Sequence, residues 1–162
     1  MTGRTPIPAR VWQLDAASLS DANKALRVLP RELRPYTHGV RTDGRAVTVA
    51  ASGDLLPVLA GMERCEAGDI MVIDAGTTDH AVLGELFATE AMRRKMAGIV
   101  IYGLCRDTAT LAQLPLPIYA LGTIPRAAGA TLPPSTPGPV RLGDVEIHPG
   151  DLLVGDDDGI VV

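Results

Sequence analysis

Two runs of consecutive apolar residues dominate the hydrophobic pattern of this chain. They cover residues 70–73 and 99–102, and glycine-containing turns lie beside both. Continuous apolar runs of this length are typical of strands covered on both faces of a sheet. Between them, residues 85–96 place apolar side chains at helical spacing. The pattern therefore predicts a βαβ unit with parallel strands and a right-handed crossover.

The boundaries of this unit are predicted from glycine positions. Gly98 is expected to end the helix as its C′ residue, and Gly103 is expected to end the second strand. The first helix of the chain is predicted to start with Ser20 or Asp21 as its N-cap and to end before Pro30. The other predicted elements are helices over residues 18–29, 54–64 and 108–113 and strands over residues 45–51, 117–121, 140–147, 151–154 and 159–162.

The segments between these elements are rich in turn-forming residues. Residues 36–43 are predicted as a connector, residues 127–139 as a mobile surface loop, and residues 1–10 as a loose N-terminal arm. The last three predicted strands are short and antiparallel, with Pro-Gly and Asp-rich turns between them. The sequence thus predicts one α/β domain over residues 1–162, with a parallel βαβ core and a second β-rich layer.

Composition excludes several classes of function. The formal net charge is −4, and the basic residues are scattered rather than clustered, which argues against a nucleic-acid partner. No apolar stretch is long enough to span a membrane. The two cysteines, Cys65 and Cys105, lack the CxxC spacing of a zinc site, and two are too few for a disulfide framework. We expect reduced thiols in a cytoplasmic protein.

Candidate chemistry lies just beyond the two apolar strands. Ligands of open α/β sheets bind beyond the carboxyl ends of the strands, so the polar residues there are expected to meet. Arg106 can bind a carboxylate through two parallel hydrogen bonds. Asp107 can bind Mg²⁺ or Mn²⁺, and Glu85 can bind the same ion directly or through a water molecule. The free N–H groups of Leu86 and Phe87, at the start of the predicted helix, favour an anion.

This set of groups suits the chemistry of 2-oxo acids. Such an acid chelates a divalent ion, which stabilises the enolate formed when a C–C bond breaks. Aldol cleavage and oxaloacetate decarboxylation both pass through the enolate of pyruvate, and neither requires a Schiff-base lysine. Simpler interpretations stay open: Arg106 and Asp107 as a surface ion pair or turn cap, and Glu85 as an acid that interacts with the helix dipole.

Several stretches of the sequence resemble the RraA-like family. They cover residues 68–76, 81–86, 97–107, 120–126 and 149–162. The family comprises the regulators of ribonuclease activity A and the metal-dependent 4-hydroxy-4-methyl-2-oxoglutarate aldolases. In the aldolase branch an acid is followed, after twenty residues, by Arg-Asp. Glu85, Arg106 and Asp107 match that pattern in type and spacing.

The resemblance implies a fold, an assembly and roles for the site residues. The fold would be a swivelling β/β/α-type domain, assembled as a homotrimer or a dimer of trimers with sites at subunit interfaces. Asp107 would be the direct metal ligand, Arg106 the substrate-carboxylate clamp, and Glu85 a residue in the water shell of the ion. The substrate would be held at residues 84–87: Gly84 and the amides of Leu86 and Phe87.

The resulting function is a metal-dependent lyase that acts on pyruvate-derived 2-oxo acids, as a 4-hydroxy-4-methyl-2-oxoglutarate aldolase, an oxaloacetate decarboxylase, or both. Its cofactor would be Mg²⁺ or Mn²⁺, and its partner a small 2-oxo acid. The alternative is a non-catalytic RraA-type protein that binds and inhibits an RNA-processing ribonuclease.

Overall fold

The computed structural model describes residues 13–76, 79–134 and 136–162, so the predicted arm over residues 1–10 lies outside the described residues. Helices and strands alternate through most of this part of the chain. In chain order the elements are α1 (Ala16–Ala22), β1 (Arg34–Pro35), β2 (Thr42–Ala50), α2 (Leu55–Arg64), β3 (Asp69–Asp74), β4 (Ala81–Leu83), α3 (Glu85–Arg93), β5 (Gly98–Cys105), α4 (Thr108–Leu111), β6 (Ile118–Thr123), β7 (Val140–Leu142), β8 (Val145–Ile147), β9 (Leu152–Asp156) and β10 (Gly159–Val161).

The main sheet has a parallel centre and antiparallel edges. Its strand order is β1-β6-β5-β3-β2-β9-β10, and β4 also pairs with β5. Strands β2, β3, β5 and β6 run parallel to one another, whereas β9 is antiparallel to β2 and β1 is antiparallel to β6. The parallel pairing of β3 with β5 confirms the predicted βαβ arrangement, and the predicted α/β class is confirmed with it.

Both faces of the central strands are buried, as the continuous apolar runs predicted. Met71 and Ile73 of β3 pack into a cluster beneath helices α2 and α3, while Ile70 and Val72 pack into a second cluster on the opposite face. All four side chains are 0% exposed, and burial of each contributes roughly 1.5–3 kcal/mol. The β7–β8 hairpin covers the second face, which confirms the predicted β-rich layer.

The first helix is shorter than predicted. The N-cap of α1 is Asp15, not Ser20 or Asp21, and the helix stops at its seventh residue. Its predicted extension through residues 18–29 was wrong because the later part of that segment bonds elsewhere. Arg27 and Val162 exchange backbone hydrogen bonds of 3.2 and 2.8 Å, which bring this segment to the end of β10.

Helix α3 also ends early, at Arg93 rather than Met96. Lys95 adopts the left-handed conformation beyond the helix, with φ 58°, and its N–H donates to Met92 O at 2.9 Å. The predicted C′ residue, Gly98, is instead the first residue of β5. That prediction was wrong because a lysine accepts here the backbone conformation that glycine usually takes.

Strand β5 continues past its predicted end at Gly103 and reaches Cys105. Two neighbours extend it, because Cys105 pairs with Leu83 of β4 on one side and with Thr123 of β6 on the other. Neither β4 nor the two-residue β1 was predicted, since elements this short give little periodicity. The extension carries Arg106 to the edge of the sheet.

Two further boundaries differ from prediction for reasons of pairing. Strand β2 begins at Thr42, inside the predicted connector, because Thr42–Arg45 pairs with β9. The single strand predicted over residues 140–147 is a hairpin that turns at Gly143, whose φ is 61°. The remaining predicted helices and strands are present, with ends shifted by one or two residues.

The segment predicted as a surface loop contains no helix or strand in its described residues, 127–134 and 136–139. It is nevertheless tied to the sheet and to α2 by isolated bridges from Ala127 to Ala81 and from Gly129 to Asp54. Its mobility stays a prediction. Within the described ranges no helix combines the length and the apolar character needed to cross a bilayer.

Candidate active site

The ends of β4 and β5 bring the predicted site residues together. The two strands are parallel, with Ala81 opposite Leu104 and Leu83 opposite Cys105. One step further, Arg106 N donates a hydrogen bond to Leu83 O at 3.0 Å. The residues that follow each strand are therefore neighbours, as expected for the carboxyl edge of a parallel sheet.

Asp107 links the starts of two helices. Its backbone is left-handed, with φ 61° and ψ 35°, and its carbonyl oxygen accepts from Thr110 N and Leu111 N at the start of α4. Its side chain caps a different helix, because Oδ2 accepts from Glu85 N of α3 at 3.0 Å. Since α3 begins after Gly84, which has no side chain, the Asp107 carboxylate supplies the missing cap.

Gly84 is required at this point by space rather than by conformation. Its φ of −153° is extended backbone that any residue can adopt. A Cβ on Gly84, however, would lie 2.5 Å from Asp107 Oδ2 and 3.0 Å from Arg106 Cγ. The absence of a side chain is what allows the Arg-Asp pair to pack against the start of α3.

We expect Gly84→Ala to destabilise the fold and to displace the Asp107 carboxylate, because overpacking of a confined site costs about 1–3 kcal/mol. Thermal unfolding measures the effect. Gly138→Ala is the matched control, since a Cβ there meets nothing within 4 Å. Equal melting temperatures for the two variants would contradict the close packing described for Gly84.

Arg106 is held loosely beside Asp107. Its Nε lies 3.6 Å from Asp107 Oδ2, and the two side chains are 40% and 39% exposed. An ion pair this exposed contributes about 0–1 kcal/mol to stability. Arg106 and Asp107 thus form the surface ion pair that the simpler interpretation expected. The guanidinium nevertheless stays available to bind a ligand. Its Nη groups donate to no other residue in the described ranges.

A small pocket opens between these groups. Its volume is about 120 Å³, and most of its wall is apolar. Arg106 and Asp107 are its only charged lining residues within the described part of the chain. The lining residues are Leu55, Ala81, Leu83, Gly84, Leu86, Phe87, Arg106, Asp107 and Ala127.

The structure brings part of the predicted constellation into this pocket. Gly84, Leu86 and Phe87 line it together with the Arg-Asp pair, whereas the Glu85 side chain is exposed and is not part of the wall. The Glu85 amide is bonded to Asp107. No described residue accepts a hydrogen bond from the amides of Leu86 or Phe87, so the first turn of α3 presents free donors beside the guanidinium.

A divalent ion in this pocket would need ligands beyond those that the described residues supply. Among the described residues, no group of three or more His, Cys, Asp and Glu side chains is placed to bind a metal. Asp107 supplies one carboxylate, whose Oδ1 forms no hydrogen bond to a described residue. Mg²⁺ usually keeps several waters and takes one or two carboxylates plus substrate oxygens. This donor set therefore fits Mg²⁺ or Mn²⁺ together with a chelating substrate.

Sequence reasoning missed four residues of the pocket wall: Leu55, Ala81, Leu83 and Ala127. All four are apolar residues without distinctive spacing, and the packing of α2, β4 and the segment after β6 brings them to the site. A larger cavity, about 330 Å³, lies elsewhere, beside β2. Its two arginines, Arg45 and Arg64, donate to backbone carbonyls, and none of the predicted site residues lines it.

Cys105 directly precedes the Arg-Asp pair but is not poised as a nucleophile. Burial raises the pKa of the Cys105 thiol to about 11. Cys65 behaves alike, because burial raises its pKa to about 12. Both thiols are buried and free. The thiolate is the reactive form, so the cysteines contribute packing rather than covalent chemistry.

Comparisons with known proteins agree with the sequence resemblance. The family model described as RraA-like, Aldolase/RraA, matches residues 16–162. A protein of Halalkalibacterium halodurans named "Putative 4-hydroxy-4-methyl-2-oxoglutarate aldolase" is 38% identical over 146 residues, which span 89% of this chain and 70% of that protein.

Two solved structures share the fold. One, from Geobacillus kaustophilus, is described as an S-adenosylmethionine: 2-dimethylmenaquinone methyltransferase; it has a TM-score of 0.85 and 28% identity, covering 91% of this chain and 93% of that one. The other is the RNA-processing inhibitor RraA from Thermus thermophilis, with a TM-score of 0.84 and 28% identity, covering 91% of each chain.

Proposed function

Because this chain belongs to the RraA-like family, we propose that it is a metal-dependent lyase acting on pyruvate-derived 2-oxo acids. The reaction is aldol cleavage of 4-hydroxy-4-methyl-2-oxoglutarate, decarboxylation of oxaloacetate, or both. One observation carries the proposal: a guanidinium, a carboxylate and the open first turn of a helix meet at one small pocket. The aldolase name of a relative 38% identical to the chain supports it.

The substrate carboxylate binds Arg106 in this proposal. A planar guanidinium can form two parallel hydrogen bonds with a carboxylate, and the Arg106 Nη groups have no partner within the described residues. The amides of Leu86 and Phe87 bind the same anionic end, where the helix dipole favours negative charge. Once covered, the mostly apolar wall would shield these contacts from water and thereby strengthen them.

Asp107 holds the divalent ion, and Glu85 orients a water molecule in its shell. When bound, the ion supplies charge stabilisation for the enolate of pyruvate that C–C cleavage produces. The Glu85 side chain is exposed, and its amide donates to Asp107 Oδ2; both observations support an outer position better than direct ligation. Asp107 can bind the ion without any movement of α3, because its Oδ1 accepts no hydrogen bond from a described residue.

We expect pyruvate release from oxaloacetate to require Mg²⁺ or Mn²⁺. Chelation with EDTA should lower turnover by about 100-fold or more, because the ion supplies several kcal/mol of charge stabilisation. Excess metal should restore it. Protein-free buffer with the same ion corrects for spontaneous decarboxylation. Turnover that persists in EDTA would contradict the metal requirement.

The assembly implied by the resemblance, a homotrimer or dimer of trimers, is part of the proposal. Leu86 is 79% exposed at the mouth of the pocket, where an apolar side chain of this size is costly to leave in water. A subunit interface at this edge would cover Leu86 and enclose the site.

A second candidate, inhibition of an RNA-processing ribonuclease, is favoured by the structural likeness to the Thermus RraA. Capture of ribonuclease E by the purified protein, without lyase turnover, would favour this candidate. Methyl transfer is not proposed, because no glycine-rich nucleotide-binding loop follows β3 in the sequence.

A further inference from the structure

Asp54 is a buried carboxylate that accepts hydrogen bonds from two separate parts of the chain. It is 3% exposed and lies at the N-cap of α2, where Oδ1 accepts from Leu56 N at 2.9 Å. Its second oxygen bonds to a segment far along the chain. Oδ2 accepts from Thr131 N at 2.8 Å and from Thr131 Oγ1 at 3.1 Å. One carboxylate therefore joins the start of a helix to the segment that follows β6.

The two pieces that Asp54 joins both line the candidate pocket. Leu55, the next residue, is part of the wall, and so is Ala127, four residues before Thr131. The Leu55 amide also donates to Gly129 O at 2.8 Å, beside the Asp54 contact. The segment over residues 126–131 therefore lies against α2 through bonds that cluster at Asp54.

The far end of the same segment is fixed to β4. Ala81 N donates to Arg126 O at 2.8 Å, and Ala128 N donates to Ala81 O at 2.9 Å. The pocket-lining Ala127 is thus held from two sides, by β4 and by Asp54. Asp54 is charged in this setting: burial raises its pKa, but hydrogen bonds from Leu56, Thr131 and Leu132 outweigh that effect and lower it overall.

We propose that Asp54 is a positioning residue for the site. By holding residues 126–131 against α2, it sets the place of the Ala127 wall in the pocket that contains Arg106 and Asp107. The inference rests on the proposed lyase function, since the position of this wall matters through substrate binding. A simple helix cap would need only the bond from Leu56, so the two bonds from Thr131 are what the proposal explains.

Asp54→Asn separates the two roles. Asparagine keeps one carbonyl oxygen, which can still accept from Leu56 N and cap α2. In the orientation that keeps this cap, the amide nitrogen faces the Thr131 N–H, so a donor meets a donor and that bond is lost. Only the Thr131 hydroxyl, which can accept as well as donate, can still pair with residue 54, so the link to the segment is weakened. Asp15→Asn is the matched control, because Asp15 caps α1 through Ser18 N.

The test combines hydrogen exchange with steady-state kinetics on oxaloacetate and Mg²⁺. For Asp54→Asn we expect exchange to accelerate by about tenfold or more at the Thr131 amide and at the Leu55 amide, which donates to Gly129 O. We also expect KM to rise about five- to tenfold while kcat changes less than about threefold, because the wall acts in binding. Asp15→Asn should change neither quantity.

Thr131→Val provides a second variant that leaves the α2 cap intact. It removes the hydroxyl donor alone, so it should shift exchange and KM in the same direction by a smaller factor. Unchanged exchange in both variants would overturn the tether. Faster exchange with an unaltered KM would overturn the positioning role. No turnover by the wild-type protein would overturn the proposed function itself, and the positioning role with it.

Discussion

Replacement of Asp107 by asparagine is expected to lower kcat/KM for oxaloacetate by about 10³-fold while the fold is retained. Asparagine tolerates the left-handed φ of 61°, and its carbonyl oxygen can still accept from Glu85 N. The substitution removes the negative charge, which is what a hard divalent ion requires of this side chain. The effect is therefore on the ion rather than on the structure.

Calorimetric titration with Mn²⁺ and oxalate, together with thermal unfolding, separates these effects for Asp107→Asn. Binding should weaken strongly, and the melting temperature should stay close to that of the wild type. Asp144→Asn, at an exposed position in the β7–β8 turn, is the control for loss of one negative charge. Wild-type turnover in the Asp107 variant would exclude this residue as the metal ligand.

The second large effect is expected at Arg106. Arg106→Met should lower kcat/KM by about 100-fold or more, and Arg106→Lys should raise KM by about tenfold. Lysine keeps the charge but loses the planar fork that binds both oxygens of a carboxylate. Stability should change little in either variant, because the exposed pair with Asp107 contributes about 0–1 kcal/mol.

Steady-state kinetics at saturating Mg²⁺ measures the Arg106 effect. Arg141→Lys is the control, since Arg141 is an exposed arginine paired with Glu146 on the β7–β8 hairpin. If Arg106→Lys and Arg106→Met had the same KM as the wild type, the substrate carboxylate would have to bind elsewhere.

The core of the fold was predictable because its signal is local. Residues 70–73 and 99–102 are apolar at every position, and short runs of this kind beside turn residues favour strands covered on both faces. Boundaries were less predictable because they depend on distant partners. Strand β5 extends to Cys105 because β4 and β6 pair with it there, and both of these strands are distant from residue 105 in the sequence. Helix α1 ends early because Arg27 bonds to Val162.

The candidate site likewise has a part that local sequence predicts and a part that depends on distant contacts. Arg106 and Asp107 could be placed at a strand end from the sequence, and the first turn of α3 could be placed beside them. The bond from Glu85 N to Asp107 could not be predicted, since it depends on the close approach that Gly84 permits. The link from Asp54 to Thr131 spans 77 residues and has no sequence signal beyond an N-cap aspartate.

A crystal structure with Mg²⁺ and oxalate tests the central claim most directly. The ion is expected at about 2.1 Å from an Asp107 carboxylate oxygen, with oxalate chelating it. The Arg106 guanidinium and the amides of Leu86 and Phe87 should bind the oxalate oxygens. An ion bound away from Asp107 would contradict the role of Asp107 as the metal ligand. Oxalate bound without contact to Arg106 would contradict the role of Arg106 in binding the substrate carboxylate.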